Sequence, residues 1–121
     1  MDGTASDQVV DLLHCLGFIY LRHGQHQRAV VLLILAAQSG AEARAEVLRT
    51  LCAALIAAGM GRQALEIVDR LAAIEPEGAA HPMMRLMHAR ALLLLDRGDE
   101  ARAMFRAATA APGDEPFGAA A

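Results

Sequence analysis

The side chains in this sequence best suited to chemistry are a few histidines, two cysteines and a small group of acids. His23 and His26 are separated by two residues that include Gly24, a spacing at which two imidazoles can share a metal ion. No Cys, Asp or Glu lies close to this pair in the sequence, and histidines in a turn between helices are commonly only solvated. We therefore expect no metal site and no bound cofactor.

Nucleophilic and acid–base catalysis are equally poorly supported. His14 and Cys15 are adjacent, so on a helix their side chains point about 100° apart and cannot form a nucleophile–base pair by themselves. Asp96, Asp99 and Glu100 lie where a helix is expected to begin, and acids at that position favour the helix dipole. The sequence therefore predicts a protein that is not an enzyme.

The composition predicts an all-α domain. The chain has 121 residues, of which 55% are hydrophobic but only 3% are aromatic, so that aliphatic side chains must fill the core. Leu and Ala are strong helix formers, whereas the β-branched and aromatic residues that favour strands are scarce. A length of this order corresponds to one domain.

Charge and hydropathy exclude several classes of partner. The formal net charge is -3, and all eleven basic residues are Arg spread among acids, so no basic stripe predicts nucleic-acid binding. The polar, acidic residues 1–7 do not resemble a signal peptide, and the longest apolar run, 29–37, is too short to span a bilayer. We expect a cytoplasmic protein with no membrane insertion, in which Cys15 and Cys52 are reduced core residues.

A repeat with a period near 35 residues is the strongest pattern in the sequence. It resembles the tetratricopeptide repeat, in which Leu-Gly, an aromatic residue, Gly, Ala and a large apolar residue recur at fixed spacing. The first copy supplies Leu16, Gly17, Tyr20, Gly24, Ala29, Leu33 and Ala36; the second supplies Leu51, Leu55, Gly59, Ala64, Val68, Leu71 and Pro76. The third, with Leu94, Gly98, Ala101, Phe105, Ala108 and Pro112, fits only if two residues are deleted between Gly98 and Ala101.

The repeat predicts three stacked antiparallel helical hairpins, a tetratricopeptide-like solenoid. We expect a flexible N-terminus at 1–7, a domain at 8–112 with repeats at about 10–43, 45–78 and 81–112, and a flexible tail at 113–121. The six helices are expected at about 8–22, 26–38, 42–58, 61–74, 81–96 and 99–110. Gly24, Gly59 and Gly98 are each predicted to end a helix in the left-handed conformation.

Two surfaces of this solenoid are candidates for binding a partner. In such arrays the first helix of each hairpin lines the concave face, on which positions i, i+4 and i+7 form one stripe. That stripe comprises His14, Phe18 and Leu21, then Arg49, Ala53 and Ile56, then His88, Leu92 and Leu95. It suits an amphipathic helix or an extended apolar peptide, although the same residues could instead pack the core between hairpins.

The second surface is the outer face of the second helix. The run 29–37 is apolar around its whole circumference, and alignment with the second repeat places Val31, Ile34 and Leu35 on the outside. A helix that is apolar on every side should be buried on every side. Either the N-terminal segment of the chain or a partner must cover it, and residues 1–7 offer only Ala5 as an apolar contact.

Residues 12–33 resemble the opening repeat of small type III secretion chaperones of the YscY family. The resemblance is most specific in the turn Arg22-His23-Gly24-Gln25-His26-Gln27-Arg28-Ala29 and extends more loosely over about 10–110. The absence of Trp and Lys departs from the family pattern.

The resemblance implies a chaperone of the bacterial cytoplasm, associated with virulence. Such a chaperone holds a small secreted client of the YscX type and helps to deliver it to the export apparatus, with the export gate protein as a further partner. Two alternatives stay open: a translocator chaperone of the LcrH/SycD type, and a tetratricopeptide scaffold that forms a homodimer without a client.

Overall fold

The computed structural model describes residues 2–39 and 44–110, with side chains from residue 7 onward. These ranges contain no strand, which confirms the all-α class. The helices within them are α1 (Asp2–Arg22), α2 (His26–Ser39), α3 (Ala45–Ala57), α4 (Gly61–Ile74), α5 (Pro76–Ala79), α6 (Pro82–Leu94) and α7 (Gly98–Thr109).

Helix α3 begins at Ala45 rather than near residue 42, and α6 ends at Leu94 rather than near residue 96; α1 and α5 differ further from the prediction. Helix α1 begins at Asp2, so the predicted start of the first helix near residue 8 is wrong. Once a helix is nucleated, each added residue costs little, and weak helix formers such as Gly3 and Thr4 can continue it. The short helix α5 was not predicted, and Pro76 occupies its first turn, where a missing N–H costs nothing. The predicted tail at 113–121 lies outside the described residues.

Three tight turns of the same geometry connect α1 to α2, α3 to α4, and α6 to α7. Each contains one residue in the left-handed conformation: Gly24 (φ 79°), Gly59 (φ 79°) and Asp96 (φ 61°). In each turn the N–H of this residue donates to the carbonyl three residues earlier, and the next N–H donates five residues back. The prediction that Gly98 ends a helix is therefore wrong, because Gly98 is the first residue of α7.

The position of Asp96 removes the irregularity of the third repeat. Ala29, Ala64 and Ala101 each follow the left-handed residue of their turn by five positions, and they are 0%, 0% and 2% exposed. The sequence alignment required a two-residue deletion because it matched Gly98 to Gly24 and Gly59. Matching Asp96 to these two glycines needs no deletion. In all three units a small residue is buried at the same place, where two helices approach closely.

The helices pack mainly against their neighbours in the sequence. Within the described residues, α2 lies between α1 and α3, α4 lies between α3 and α6, and α7 contacts α6 alone. Helix α3 also contacts α1 and α6, so it lies between these two helices. Helices α1 and α2 make no contact with α6 or α7, which leaves an opening on one side of the molecule.

The main core lies between α2, α3, α4 and α6. Leu33, Leu48 and Cys52 are fully buried there, and methionines from α6 complete it. Gly17 of α1 allows Leu33 to approach so closely that a Cβ at Gly17 would lie 2.6 Å from Leu33 Cγ. The close contact between α1 and α2 therefore requires a residue without a side chain at position 17.

Candidate partner-binding cleft

Helices α1 and α3 form two sides of an open apolar cleft. Phe18 and Leu21 of α1 face Arg49, Thr50 and Ala53 of α3 across it. Phe18 is 47% exposed, which is unusual for a large aromatic side chain, and the Arg22 guanidinium lies 5.8 Å from the centre of its ring. Four of the residues predicted on the concave stripe, namely Phe18, Leu21, Arg49 and Ala53, therefore lie together in one cleft.

Methionines of α6 form the third side. Met84 and Met87 are 7% and 9% exposed and form part of the floor, whereas Met83 is 58% exposed at the rim opposite α1. His81 lies at the same edge, where its Nδ1 accepts a hydrogen bond from the Met83 backbone N–H at 3.1 Å and caps the helix. The cleft has a volume of about 510 Å³. Unbranched methionines make such a surface able to adapt to different apolar shapes.

A salt bridge marks the polar side of the cleft. Arg49 Nη1 donates to Glu75 Oε1 at 2.6 Å, and both side chains are partly exposed. Arg49 also lines an adjoining, more polar cleft that contains Asp69, Arg85 and His88. Burial lowers the pKa of His88, so the ring is neutral near pH 7. The two clefts together offer a partner two arginines, one of them paired with Glu75, and one neutral ring.

His14 connects two helices rather than facing the cleft. The Thr50 hydroxyl donates its only proton to the Glu46 carbonyl at 3.1 Å, so Thr50 Oγ1 accepts from His14 Nε2 at 2.9 Å. The imidazole thus bridges α1 and α3 at one end of the cleft and fixes their spacing. A structural contact of this kind leaves His14 less available to a ligand.

The remaining residues of the predicted stripe do not line this cleft. Ile56 and Leu92 are 5% and 2% exposed and pack in the core, which was the alternative open from the sequence. Leu95 is half-buried at the end of α6, and His88 faces the adjoining cleft. The third set was placed from Gly98, whereas the turn contains Asp96, two residues earlier, so its members are not equivalent to those of the first two sets.

The methionine side of the cleft is only weakly indicated in the sequence. Met83, Met84 and Met87 stand out as a group, but a methionine cluster on a helix is more often core than surface. Here it is both, because one methionine is exposed while two are buried. Only the packing of α6 against α3 shows which side chain reaches the rim.

The outer face of the first two helices is a separate apolar surface. Val31, Ile34 and Leu35 are 59%, 37% and 45% exposed, so they lie on the outside as predicted. Helix α1 also exposes Leu12, Leu16 and Ile19, which the alignment did not indicate, and Leu16 lines a shallow pocket together with Val31. We call these six residues the α1–α2 patch. Exposed apolar side chains on neighbouring helices are typical of interaction sites.

The groups considered for chemistry are dispersed. Cys52 is buried, which raises its pKa to about 12 and keeps it a protonated, unreactive thiol. Cys15 is exposed, so the expectation that it is a core residue is wrong. Within the described side chains, no three His, Cys, Asp or Glu residues are grouped closely enough to hold a metal ion. None of the helices in residues 2–39 and 44–110 combines the length and hydropathy needed to cross a bilayer.

Comparison with protein-family models, with curated proteins and with solved structures finds no match for this chain. Fold and site together define a helical protein with an open apolar cleft between α1, α3 and α6.

Proposed function

We propose that this chain is a chaperone that holds an apolar or amphipathic segment of a small secreted protein in the cleft between α1, α3 and α6. The observation that carries the proposal is the cleft itself, in which an aromatic side chain and a methionine face each other across a buried methionine floor. Phe18 and Met83 form the two rims and are both about half exposed. An amphipathic helix that lays its apolar face in this cleft would cover both side chains.

The proposed architecture is a tetratricopeptide-like solenoid of three helical hairpins. The three equivalent turns and the largely sequential helix contacts support it. In such an array the surface lined by first helices stays open, because no later helix folds back over it.

The proposed setting is type III secretion in the bacterial cytoplasm, with a client of the YscX type and delivery to the export apparatus. Support for this setting comes from the resemblance of residues 12–33 to YscY chaperones. The cleft adds a chemical argument: its lining is mainly apolar, with Arg49 already paired to Glu75. A charged carboxylate terminus would require several unpaired cations, so an apolar segment fits better.

The test uses one acidic substitution on each rim. Phe18→Glu and Met83→Glu place a charge where the apolar face of the client should bind, and loss of a central apolar contact costs about 2 kcal/mol or more. We expect the dissociation constant for a client recovered by co-purification from the native host to rise on the order of 30-fold or more. Isothermal titration with the purified client measures it.

Ile74→Glu is the matched control, because Ile74 is 46% exposed at the end of α4 and lines neither cleft. It should bind the client as the wild type does. If folded Phe18→Glu and Met83→Glu also bind with unchanged affinity, the client does not occupy this cleft.

A second candidate function is a scaffold that associates with itself, favoured by the exposed α1–α2 patch. It predicts a stable dimer without any client, which light scattering at several concentrations detects. Val31→Glu, in the centre of that patch, should then produce a monomer. A monomeric wild type would exclude this candidate.

A further inference from the structure

A second apolar groove lies between α6 and α7 and adjoins the cleft at Met83 and Met87. We call it the terminal groove; its volume is about 480 Å³. Leu93 and Phe105 are 61% and 52% exposed along it. Its apolar lining also includes Met83, Leu86, Met87, Ala89 and Ala101.

This groove lacks the cover that the earlier helix pairs have. Helix α2 is covered by α3, and α4 is covered by α6, but among the described helices α7 contacts only α6. The helices that precede the groove therefore each bury one face against a following helix, and α7 does not. Repeat arrays need a terminal element at this place.

Two arginines give the terminal groove its charge. Arg90 and Arg102 line it together with the apolar residues. Arg102 pairs with Asp99 at 3.1 Å, but these side chains are 66% and 97% exposed, and such surface pairs contribute little and exchange readily. Arg90 forms no ion pair with a residue that the structure describes. The groove therefore fits a segment that carries an apolar anchor next to acidic side chains.

We propose that the occupant is the C-terminal segment of the same chain, with Phe117 as the anchor. Residues 114–117 read Asp-Glu-Pro-Phe, which places two carboxylates beside one aromatic ring. Asp114 and Glu115 pair with Arg90 and Arg102, and Phe117 covers apolar surface of the groove. Charge and shape requirements are thus both met by a stretch of four residues.

The chain is long enough to reach the groove. Arg85 Nη1 donates to the Ala107 carbonyl at 3.0 Å, so the end of α7 lies beside the beginning of α6, where the groove starts at Met83. From Thr109, the eight residues to Phe117 span up to about 26 Å when extended. The distance along α6 from Met83 to Leu93 is about 15 Å.

Hydrogen exchange tests the proposal on the full chain. Removing residues 111–121 should make the backbone amides of α7 and of the second half of α6 exchange roughly tenfold faster or more, because their covered face opens. Adding a synthetic peptide of residues 111–121 in excess should restore protection. Deletion of 119–121 alone is the matched control and should change nothing, since it leaves both acids and Phe117. Identical exchange in the full and shortened chains would overturn the proposal.

A charge exchange identifies the partners without shortening the chain. Arg90→Glu/Arg102→Glu and, separately, Asp114→Arg/Glu115→Arg should each reproduce the fast exchange. Combining the four substitutions should restore protection while circular dichroism shows unchanged helix content. If the fourfold variant does not regain protection from exchange, the proposed ion pairs do not form. Protection that rises with protein concentration, together with a dimer in light scattering, would assign the groove to a second copy instead.

Discussion

At the scale of single residues, one aspartate determines how the third unit is aligned with the first two. Gly24 and Gly59 hold the left-handed position in their turns without steric cost, because glycine has no Cβ. Asp96 occupies the same position at φ 61°. Aspartate tolerates this conformation better than most residues but still incurs part of the roughly 1–2 kcal/mol that a side chain costs there.

We therefore expect Asp96→Gly to raise the free energy of unfolding by up to about 1 kcal/mol, because it removes the steric penalty in the turn. Urea unfolding followed by circular dichroism measures the change. Asp99→Gly is the control: Asp99 lies in the first turn of α7, where glycine should destabilise by about 0.5–1 kcal/mol. Equal effects of both substitutions would contradict the equivalence of the three turns.

At the scale of helices, a partly buried histidine connects proton binding to the packing of α6. Burial lowers the pKa of His88, with Arg97 acting in the same direction and Asp69 and Glu100 opposing it. Since the folded-state pKa lies below the unfolded value of 6.5, the unfolded chain binds more protons as the pH falls. The contribution to stability is therefore complete above about pH 6.5 and decreases as the pH falls toward the folded-state pKa.

His88→Gln should remove the contribution of this histidine to the pH dependence of stability. We expect the melting temperature of the wild type to fall more steeply than that of the variant between pH 7.5 and pH 5. Differential scanning calorimetry at several pH values measures both curves. His23→Gln, at an exposed turn position, should leave the wild-type pH dependence intact. If the melting temperatures of His88→Gln and wild type depend on pH in the same way, protonation of His88 does not affect stability.

At the scale of the whole molecule, the largely sequential order of helix contacts distinguishes the ends from the middle. Helices α1 and α7 each lie at one end of the series, whereas α3 and α4 lie in its interior. Cys52 is fully buried on α3, with its thiol 3.7 Å from the Ala64 carbonyl of α4, and Cys15 is exposed on α1. The reactivity of Cys15 therefore reports on one end of the molecule, and that of Cys52 reports on its centre.

Thiol labelling should separate these two sites. At pH 8, Cys15 should react rapidly with a disulfide reagent, while Cys52 should react only when the protein unfolds, because burial raises its pKa to about 12. We expect the slow phase to yield the same free energy as urea unfolding. In Cys15→Ser only the slow phase should remain. Similar rates for both thiols in the folded protein would mean that the centre opens locally.

Several features of this protein were predictable from the sequence alone. Local conformational preferences act over a few residues and can therefore be recognised in the sequence. They account for the helical class, the tight turns at Gly24 and Gly59, and the start of α6 at Pro82. The exposure of Val31 followed from its repeat position. Four of the nine stripe residues lie in the cleft, and these belong to the two units whose turns contain glycine.

Tertiary structure alone decided the rest. The third turn has Asp96 in the left-handed position, whereas the sequence pattern indicated Gly98, two residues later, because glycine takes that conformation more readily than aspartate. Packing between helices distant in sequence buries Ile56 and Leu92 and brings Met83 to the rim opposite Phe18. Which side chains meet across a cleft depends on how separate helices are oriented, and that orientation results from the sum of many contacts distant in sequence.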